Sequence, residues 1–207
     1  MRLAFFGDVV GKPGRDVVER YLPRLRDQLS LDFVVVNAEN AAGGFGLTEA
    51  IANDFFDAGA DCLTLGDHAW DQREMVSYIE RDSRLIRPLN YPPSAQAPGK
   101  GSNIFALPDG RMVGVIQLQG NVFMRQALDN PFLVLEDALA DMRLREVCDA
   151  IIVDMHCEAT SEKMAMGHHC DGRVSLVVGS HTHIPTADAQ LLVGGTAYLT
   201  DAGMCGD

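Results

Sequence analysis

The chain has 207 residues, 47% hydrophobic and 22% charged, a balance that excludes a disordered chain and leaves enough apolar material for a sizeable core. Its formal net charge of −12 argues against a surface for stable nucleic-acid binding, while still admitting a small anionic substrate wherever cations reverse the local potential. No CxxC pair and no apolar run near ~20 residues occurs, so a disulfide framework, a thiolate zinc site and a membrane span are not expected, and a cytoplasmic location is.

Apolar runs alternate with helical patterns from the start. Residues 3–6 predict a buried strand, and apolar positions Val17, Val18, Tyr21, Leu22, Leu25 and Leu29 predict a helix over 14–29, with a kink or restart at Pro23. A β-branched strand is expected at 33–36. Thr48 is placed to cap a helix carrying Ile51 and Phe55 that Gly59 ends, and a third strand comes next at 62–65. Asp71 and Glu74 have the spacing of a capping box for a helix holding Met75, Val76 and Ile79. Residues 91–100 read as a loop. Segments 103–107 and 112–118 flank Pro108-Asp109-Gly110 as a hairpin. Asn121-Val122-Phe123-Met124 reads as core rather than interface. A helix over 133–147 and strands at 150–155, 174–178 and 196–199 complete the pattern. Such alternation, with an antiparallel insertion, predicts an α/β layered fold with a mixed sheet or two packed sheets, in one domain.

In open α/β sheets ligands bind beyond the carboxyl ends of the strands. The predicted strands end in Gly7-Asp8, in Asn37-Ala38-Glu39-Asn40, in Gly66-Asp67-His68, in His156, in Gly179-Ser180-His181-Thr182-His183 and in Asp201. Nearly every strand therefore delivers a carboxylate or an imidazole to one edge. Those donors suit Mn, Fe and Zn, and a metal pair about 3.5–4 Å apart needs a bridging ligand. In an extended His181-Thr182-His183 segment both rings would face the cluster. Taken singly, Asp8 reads as a turn cap, Glu39 and Asn40 as loop residues and His156 as a satisfied histidine; their co-occurrence at matched strand ends outweighs those readings. His168 and His169 read as surface loop residues, Asp171 and Asp188 as turn or salt-bridge residues, and Gly43-Gly44-Phe45-Gly46 as a flexible turn. Cys157 and Cys170 lie near histidines in the sequence, which keeps a thiolate ligand open.

Gly7-Asp8-Val9-Val10-Gly11, Asn37-Ala38-Glu39-Asn40, Gly66-Asp67-His68, Asp154-Met155-His156 and Gly179-Ser180-His181-Thr182-His183 together resemble the calcineurin-like metallophosphoesterases, and most closely the bacterial YmdB-like branch. The resemblance runs through essentially the whole chain. It implies two packed mixed β-sheets flanked by helices, in αββα layers, and a dinuclear phosphodiesterase that hydrolyses cyclic nucleotides, 2',3'-cyclic nucleoside monophosphates in particular, through a metal-bridging hydroxide. It carries over Asp8, Glu39, Asn40, His156, His181 and His183 as ligands of two divalent ions, Mn or Fe ahead of Zn or Mg, and Asp67 is expected to join them as a further ligand. It gives Glu39 as the bridge and His68 as the proton donor. Asp67 stands where the family motif has asparagine, and members continue past 201–204, so a C-terminal portion is expected to be missing. The implied partner is a small phosphodiester, with no membrane and with a homo-oligomer left open. Two rival readings are a single-metal hydrolase of another ester or amide, and a regulatory protein that binds metal with little catalysis.

Overall fold

Phe33, Val34, Val35 and Val36 are all buried, which a strand achieves only when both faces of its sheet are covered. Each such side chain contributes roughly 1.5–3 kcal/mol of burial. The computed structural model describes residues 1–206 and shows what covers them. Strand β1 (Leu3–Phe6) pairs in parallel with β3 (Phe33–Asn37), which pairs with β4 (Cys62–Thr64) and through it with β5 (Leu85–Ile86). A second sheet runs in the order β10 (Gln190–Leu191), β11 (Ala197–Leu199), β9 (Leu176–Ser180), β8 (Ala150–His156), β7 (Met112–Gln119) and β6 (Ser102–Ala106). Its four central strands are parallel and its two edge pairings antiparallel. Strand β2 (Asp8–Val9) pairs with β12 (Met204–Cys205).

The alternation of side chains along each strand sorts the core into three layers. Phe33, Val35, Cys62 and Ile86 meet Val113, Val115, Ile152 and Val178 between the sheets. Val34, Val36 and Leu63 face outward onto helix α1 (Gly11–Leu29) and helix α2 (Glu49–Asp57) through Val18, Leu22 and Phe55. On the far side, Ile116, Leu118, Ile151 and Val153 face helix α4 (Pro131–Asp141) and helix α5 (Thr160–Cys170) through Leu135, Leu139, Met166 and Cys170. The result is the expected αββα layering of a mixed α/β fold. The first sheet is parallel throughout rather than mixed, because a crossover connects each of its strands to the next.

Several local expectations hold. Thr48 caps α2 by accepting from the Ile51 N–H at 3.3 Å, and Pro108-Asp109-Gly110 turns the chain from β6 to β7, with Gly110 at φ 87°. Others are corrected. Helix α1 starts at Gly11 and continues through Pro23, which lies on its exposed side, without a restart. The capping box does not form at the short helix α3 (Met75–Tyr78): Glu74 accepts from the Glu49 N–H at 2.8 Å, and Asp71 is engaged by His68. Helix α4 stops at Asp141 rather than 147, and Arg145 adopts a left-handed φ of 68° that no helix interior accommodates. His168 and His169 lie in the last turn of α5, a helix and not a loop. Phe123 is 85% exposed and Val122 is exposed, so 121–124 is surface and not core. No helix among the described residues is long and apolar enough to cross a membrane.

Candidate metal centre

Because β1, β3, β4, β8 and β9 are parallel within their sheets, their carboxyl ends open on a common edge, and the two packed sheets bring those edges together. His156, the last residue of β8, is wholly buried there. Its Nε2 lies 3.1 Å from Glu39 Oε1 and 3.1 Å from Asp67 Oδ1. His181 Nδ1 lies 3.3 Å from Asp67 Oδ1 and 3.2 Å from His156 Nε2, with the two rings edge to face. One donor atom from each of Glu39, Asp67, His156 and His181 falls within 4.8 Å of all the others. A second grouping adjoins it: His183 Nε2 is 3.1 Å from Asn40 Oδ1 and 3.9 Å from Asp8 Oδ1. Asn40 donates its amide nitrogen to the Gly44 carbonyl at 3.0 Å, which leaves its oxygen facing His183. Asp8 joins the groupings by accepting from the His181 N–H at 3.1 Å.

The local backbone is arranged for this convergence. Gly66, just after β4, has no side chain, and a Cβ there would collide with the Glu39 carboxylate and the His156 ring. The His181-Thr182-His183 segment is not extended as expected. His181 has φ 93° and His183 φ 64°, a left-handed conformation costing of order 1–3 kcal/mol per non-glycine residue. Asp201 holds the turn in place: it accepts from Thr182 Oγ1 at 2.7 Å and from the Gly203 N–H at 2.7 Å. Asp201 in turn is paired at 2.6 Å with Lys163, an ammonium buried completely on α5. Thus Asp201, a strand-end acid, belongs to the support of the site and not to the cluster. A buried pair of this kind contributes by fixing one arrangement, since either partner left alone would be an uncompensated charge.

A relay orients His156. The Ser180 hydroxyl donates to Asp154 Oδ1 at 2.6 Å, so its oxygen accepts from His156 Nδ1–H at 2.9 Å. Nε2 is thereby the ring nitrogen offered to the cluster. Asp154 also accepts from Gln117 at 3.0 Å. Asp154 and His156 share a strand face because they are two residues apart, a spacing visible in the sequence. His68 stands at the rim. Its Nδ1 pairs with Asp71 Oδ2 at 2.7 Å, its backbone N–H donates to Glu39 Oε2 at 3.2 Å, and its Nε2 is 4.0 Å from Asp67 Oδ2. The spacing of Asp71 and Glu74 predicts a helix cap; the role of Asp71 here is to fix the His68 ring.

The electrostatics describe a site short of positive charge. Burial pushes the Asp8 carboxyl up to about 7, against the pull of His156 and with help from Glu39 and Asp154. Burial opposes ionisation of Asp67, but hydrogen bonds from His156 and His181 outweigh it and hold its carboxyl well below the usual range. Burial likewise pushes the His156 ring down, yet Glu39, Asp67 and Asp8 together hold it well above the ordinary imidazole value. Among the described residues no lysine or arginine pairs with Asp8, Glu39, Asp67 or Asp154. Oxygen and nitrogen donors converging within 4.8 Å, with no lysine or arginine among them, are a donor set that fits divalent Mn, Fe or Zn. The thiols do not take part. Cys157 points away from the cluster into the α4–α5 layer with Cys170, and burial pushes each up to about 12. Asp171 and Asp188 hold turns, accepting from Gly194 and from Thr186 and Thr200.

Comparison with known proteins places this geometry among relatives. A family profile described as YmdB-like protein matches residues 4–207. The chain is 46% identical over 206 residues to the 2',3'-cyclic-nucleotide 2'-phosphodiesterase of Bacillus subtilis (strain 168), covering all of this chain and 76% of that protein. It is 36% identical over 209 residues to a protein named putative phosphatase/phosphodiesterase in Mycoplasma genitalium, covering all of this chain and 73% of that one. Among solved structures, a hypothetical protein from Thermus thermophilus superposes with a TM-score of 0.91 at 43% identity, over all of this chain and 78% of its own. A phosphatase from Mycoplasma pneumoniae superposes with a TM-score of 0.88 at 37% identity, over 97% of this chain and 70% of its own.

Proposed function

The chain belongs to the YmdB-like protein family, and from that premise we propose that it is a metal-dependent phosphodiesterase that opens 2',3'-cyclic nucleotides. The observation that carries this reading is the convergence of Glu39, Asp67, His156 and His181 within 4.8 Å. Among the described residues no lysine or arginine pairs with this donor set, in a chain 46% identical to a phosphodiesterase of that specificity.

In this reading Asp67, His156 and His181 would hold one cation and Asp8, Asn40 and His183 a second, and Glu39 would serve both. Manganese or iron suits this mixture of carboxylate and imidazole. Bound divalent ions supply Lewis acidity toward phosphate oxygens and lower the pKa of water. The chain's own residues do the rest. A water oxygen bonds to phosphorus as the bond from phosphorus to the 2'-oxygen breaks; His68 gives its proton to the departing 2'-oxygen, and the proton that the water gives up restores His68 through solvent. Asp71 keeps His68 Nδ1 occupied at 2.7 Å, which leaves Nε2 as the nitrogen that transfers it. Ser180 and Asp154 fix the His156 ring, and Lys163 and Asp201 fix the turn that carries His181 and His183.

The test is hydrolysis of a 2',3'-cyclic nucleotide by metal-stripped protein, with added Mn and with an EDTA control. Mn-dependent release of a nucleoside 3'-monophosphate is expected. Two bound ions without turnover would leave a regulatory metal protein as the better reading, and one bound ion with esterase or amidase activity would favour the single-metal hydrolase.

A further inference from the structure

Beside the cluster lies a cavity of about 320 Å³ lined by Phe45, Asp67, His68, Phe123, Met124, Arg125 and His181. Asp67, His68 and His181 belong to the centre described above. The other four residues have no part in it, and their chemistry is different: two aromatic rings, a thioether and a guanidinium. Phe45 is 59% exposed and sets its ring edge to face with His68, at 5.4 Å between centroids. Phe123 is 85% exposed and has a left-handed φ of 63°. A phenylalanine gains nothing for stability from such exposure, and the backbone it sits on is strained for a residue with a Cβ.

The two loops that carry these rings are nevertheless held. The Gln72 side-chain amide donates to the Phe45 carbonyl at 2.7 Å. The Glu162 carboxylate accepts from the N–H groups of Asn121 and Val122 at 3.0 and 3.1 Å, just before Phe123. Gln126 donates to the Asp67 carbonyl at 2.9 Å, just after it. The Phe123 loop is therefore tied to the same strand end that supplies Asp67. Arg125 has no carboxylate partner among the described residues, in a chain of net charge −12. Exposed aromatic rings, an unpaired guanidinium and a cavity continuous with a phosphate-processing centre share one ligand chemistry: a flat heteroaromatic ring joined to an anion.

We propose that Phe45 and Phe123 form the nucleobase subsite of this centre and that Arg125 serves the anionic end of the same ligand. The proposal rests on the phosphodiesterase reading for the identity of the reacting group. The base stacks on the aromatic rings, a contact that every base can make because each presents a π face, so the subsite selects for the presence of a base more than for its identity. The cavity is at the small end of ligand sites, which suits a mononucleotide.

The experiment has two arms, on the metal-loaded protein. In the first, calorimetry measures binding of adenosine 3'-monophosphate, which needs no turnover. Phe123→Ala should weaken it about tenfold, and Phe123→Trp should retain it. Because Phe123 is exposed, neither substitution threatens folding. In the second, kcat/KM is compared between a 2',3'-cyclic nucleotide and the base-free ribose 2',3'-cyclic phosphate. The ratio of the two should exceed one by about tenfold in the parent chain and fall toward one in Phe123→Ala, through KM. Unchanged nucleotide binding in Phe123→Ala, an unchanged ratio, or a change in oligomeric state in place of either effect would overturn the subsite. Failure to hydrolyse either cyclic phosphate, with the binding difference intact, would instead remove the phosphodiesterase reading and leave the subsite standing.

Discussion

The two sheets contribute unlike chemistry to one edge. The parallel sheet of β1, β3 and β4 leads into Asp8, Glu39, Asn40 and Asp67, all oxygen donors. The mixed sheet ends β8 and β9 in His156, His181 and His183, all nitrogen donors. Neither set is a site alone. The carboxylates without the imidazoles are an unpaired cluster of buried acids, and the imidazoles without the carboxylates are one buried and two half-buried bases. The contact between the two sheets, through residues such as Val35 and Ile152, is what assembles the centre. The difference teaches that metal affinity and sheet packing would be coupled in the proposed centre, because a cation held by both donor sets would tie the layers together.

The comparison is broken most severely on the oxygen side. Glu39→Ala removes the carboxylate proposed to be shared and should cost about a thousandfold in turnover, as several kcal/mol of charge stabilisation is lost. Elemental analysis should find fewer than two ions per chain; a full pair in the variant would take Glu39 out of the shared position. On the nitrogen side the largest effect is indirect. Lys163→Met leaves Asp201 as a buried unpaired carboxylate and frees the turn of His181 and His183. A stability loss of about 3–5 kcal/mol is expected in chemical denaturation, and a loss under about 1 kcal/mol would mean that Thr182 and Gly203 hold Asp201 without it.

A smaller change tests the relay. Ser180→Ala deprives His156 Nδ1 of its acceptor and should weaken metal binding roughly 10–100-fold while leaving the fold intact. An unaltered affinity would show that Asp154 reaches the ring by another route. The mildest test uses pH. Asp8 has its carboxyl raised to about 7 by burial, and His156 is held above the ordinary imidazole value by its carboxylate neighbours. Asp8 must therefore release a proton to bind a cation below about pH 7, and His156 must release one wherever the pH lies below its raised value. Mn affinity should fall by at least about tenfold between pH 7 and pH 6 and fall little between pH 8 and pH 7 from Asp8 alone. Equal or tighter binding at pH 6 would contradict the sign of that linkage.

Much of this is legible in the sequence for a physical reason. The buried strands of the two sheets announce themselves as continuous apolar runs, such as Phe33-Val34-Val35-Val36, and parallel strands place the residues just beyond them on one edge. The residues at those strand ends, from Asp8 to His183, converge in the structure on two adjoining groupings, with His68 at the rim. The features hidden from the sequence are of three kinds. Helix α5 is masked because Lys163 occupies one of its buried positions, which breaks the apolar period that reveals a helix. Strands β2, β5, β10 and β12 are two residues long, too short for any period. The support residues Asp71, Asp154, Ser180 and Asp201 are visible as letters, but the pairs His68–Asp71, Asp154–Ser180 and Lys163–Asp201 are 3, 26 and 38 residues apart, and only the fold says which acid faces the cluster and which faces a histidine or lysine.

The central claim is that donors from both sheets hold cations at one edge. Anomalous diffraction from crystals soaked in Mn tests it directly. The account predicts peaks with ligands from both sides, one peak ringed by Asp67, His156 and His181 and a second by Asp8, Asn40 and His183, with Glu39 touching both. No peak at this edge, or peaks held by the residues of one sheet alone, would contradict it.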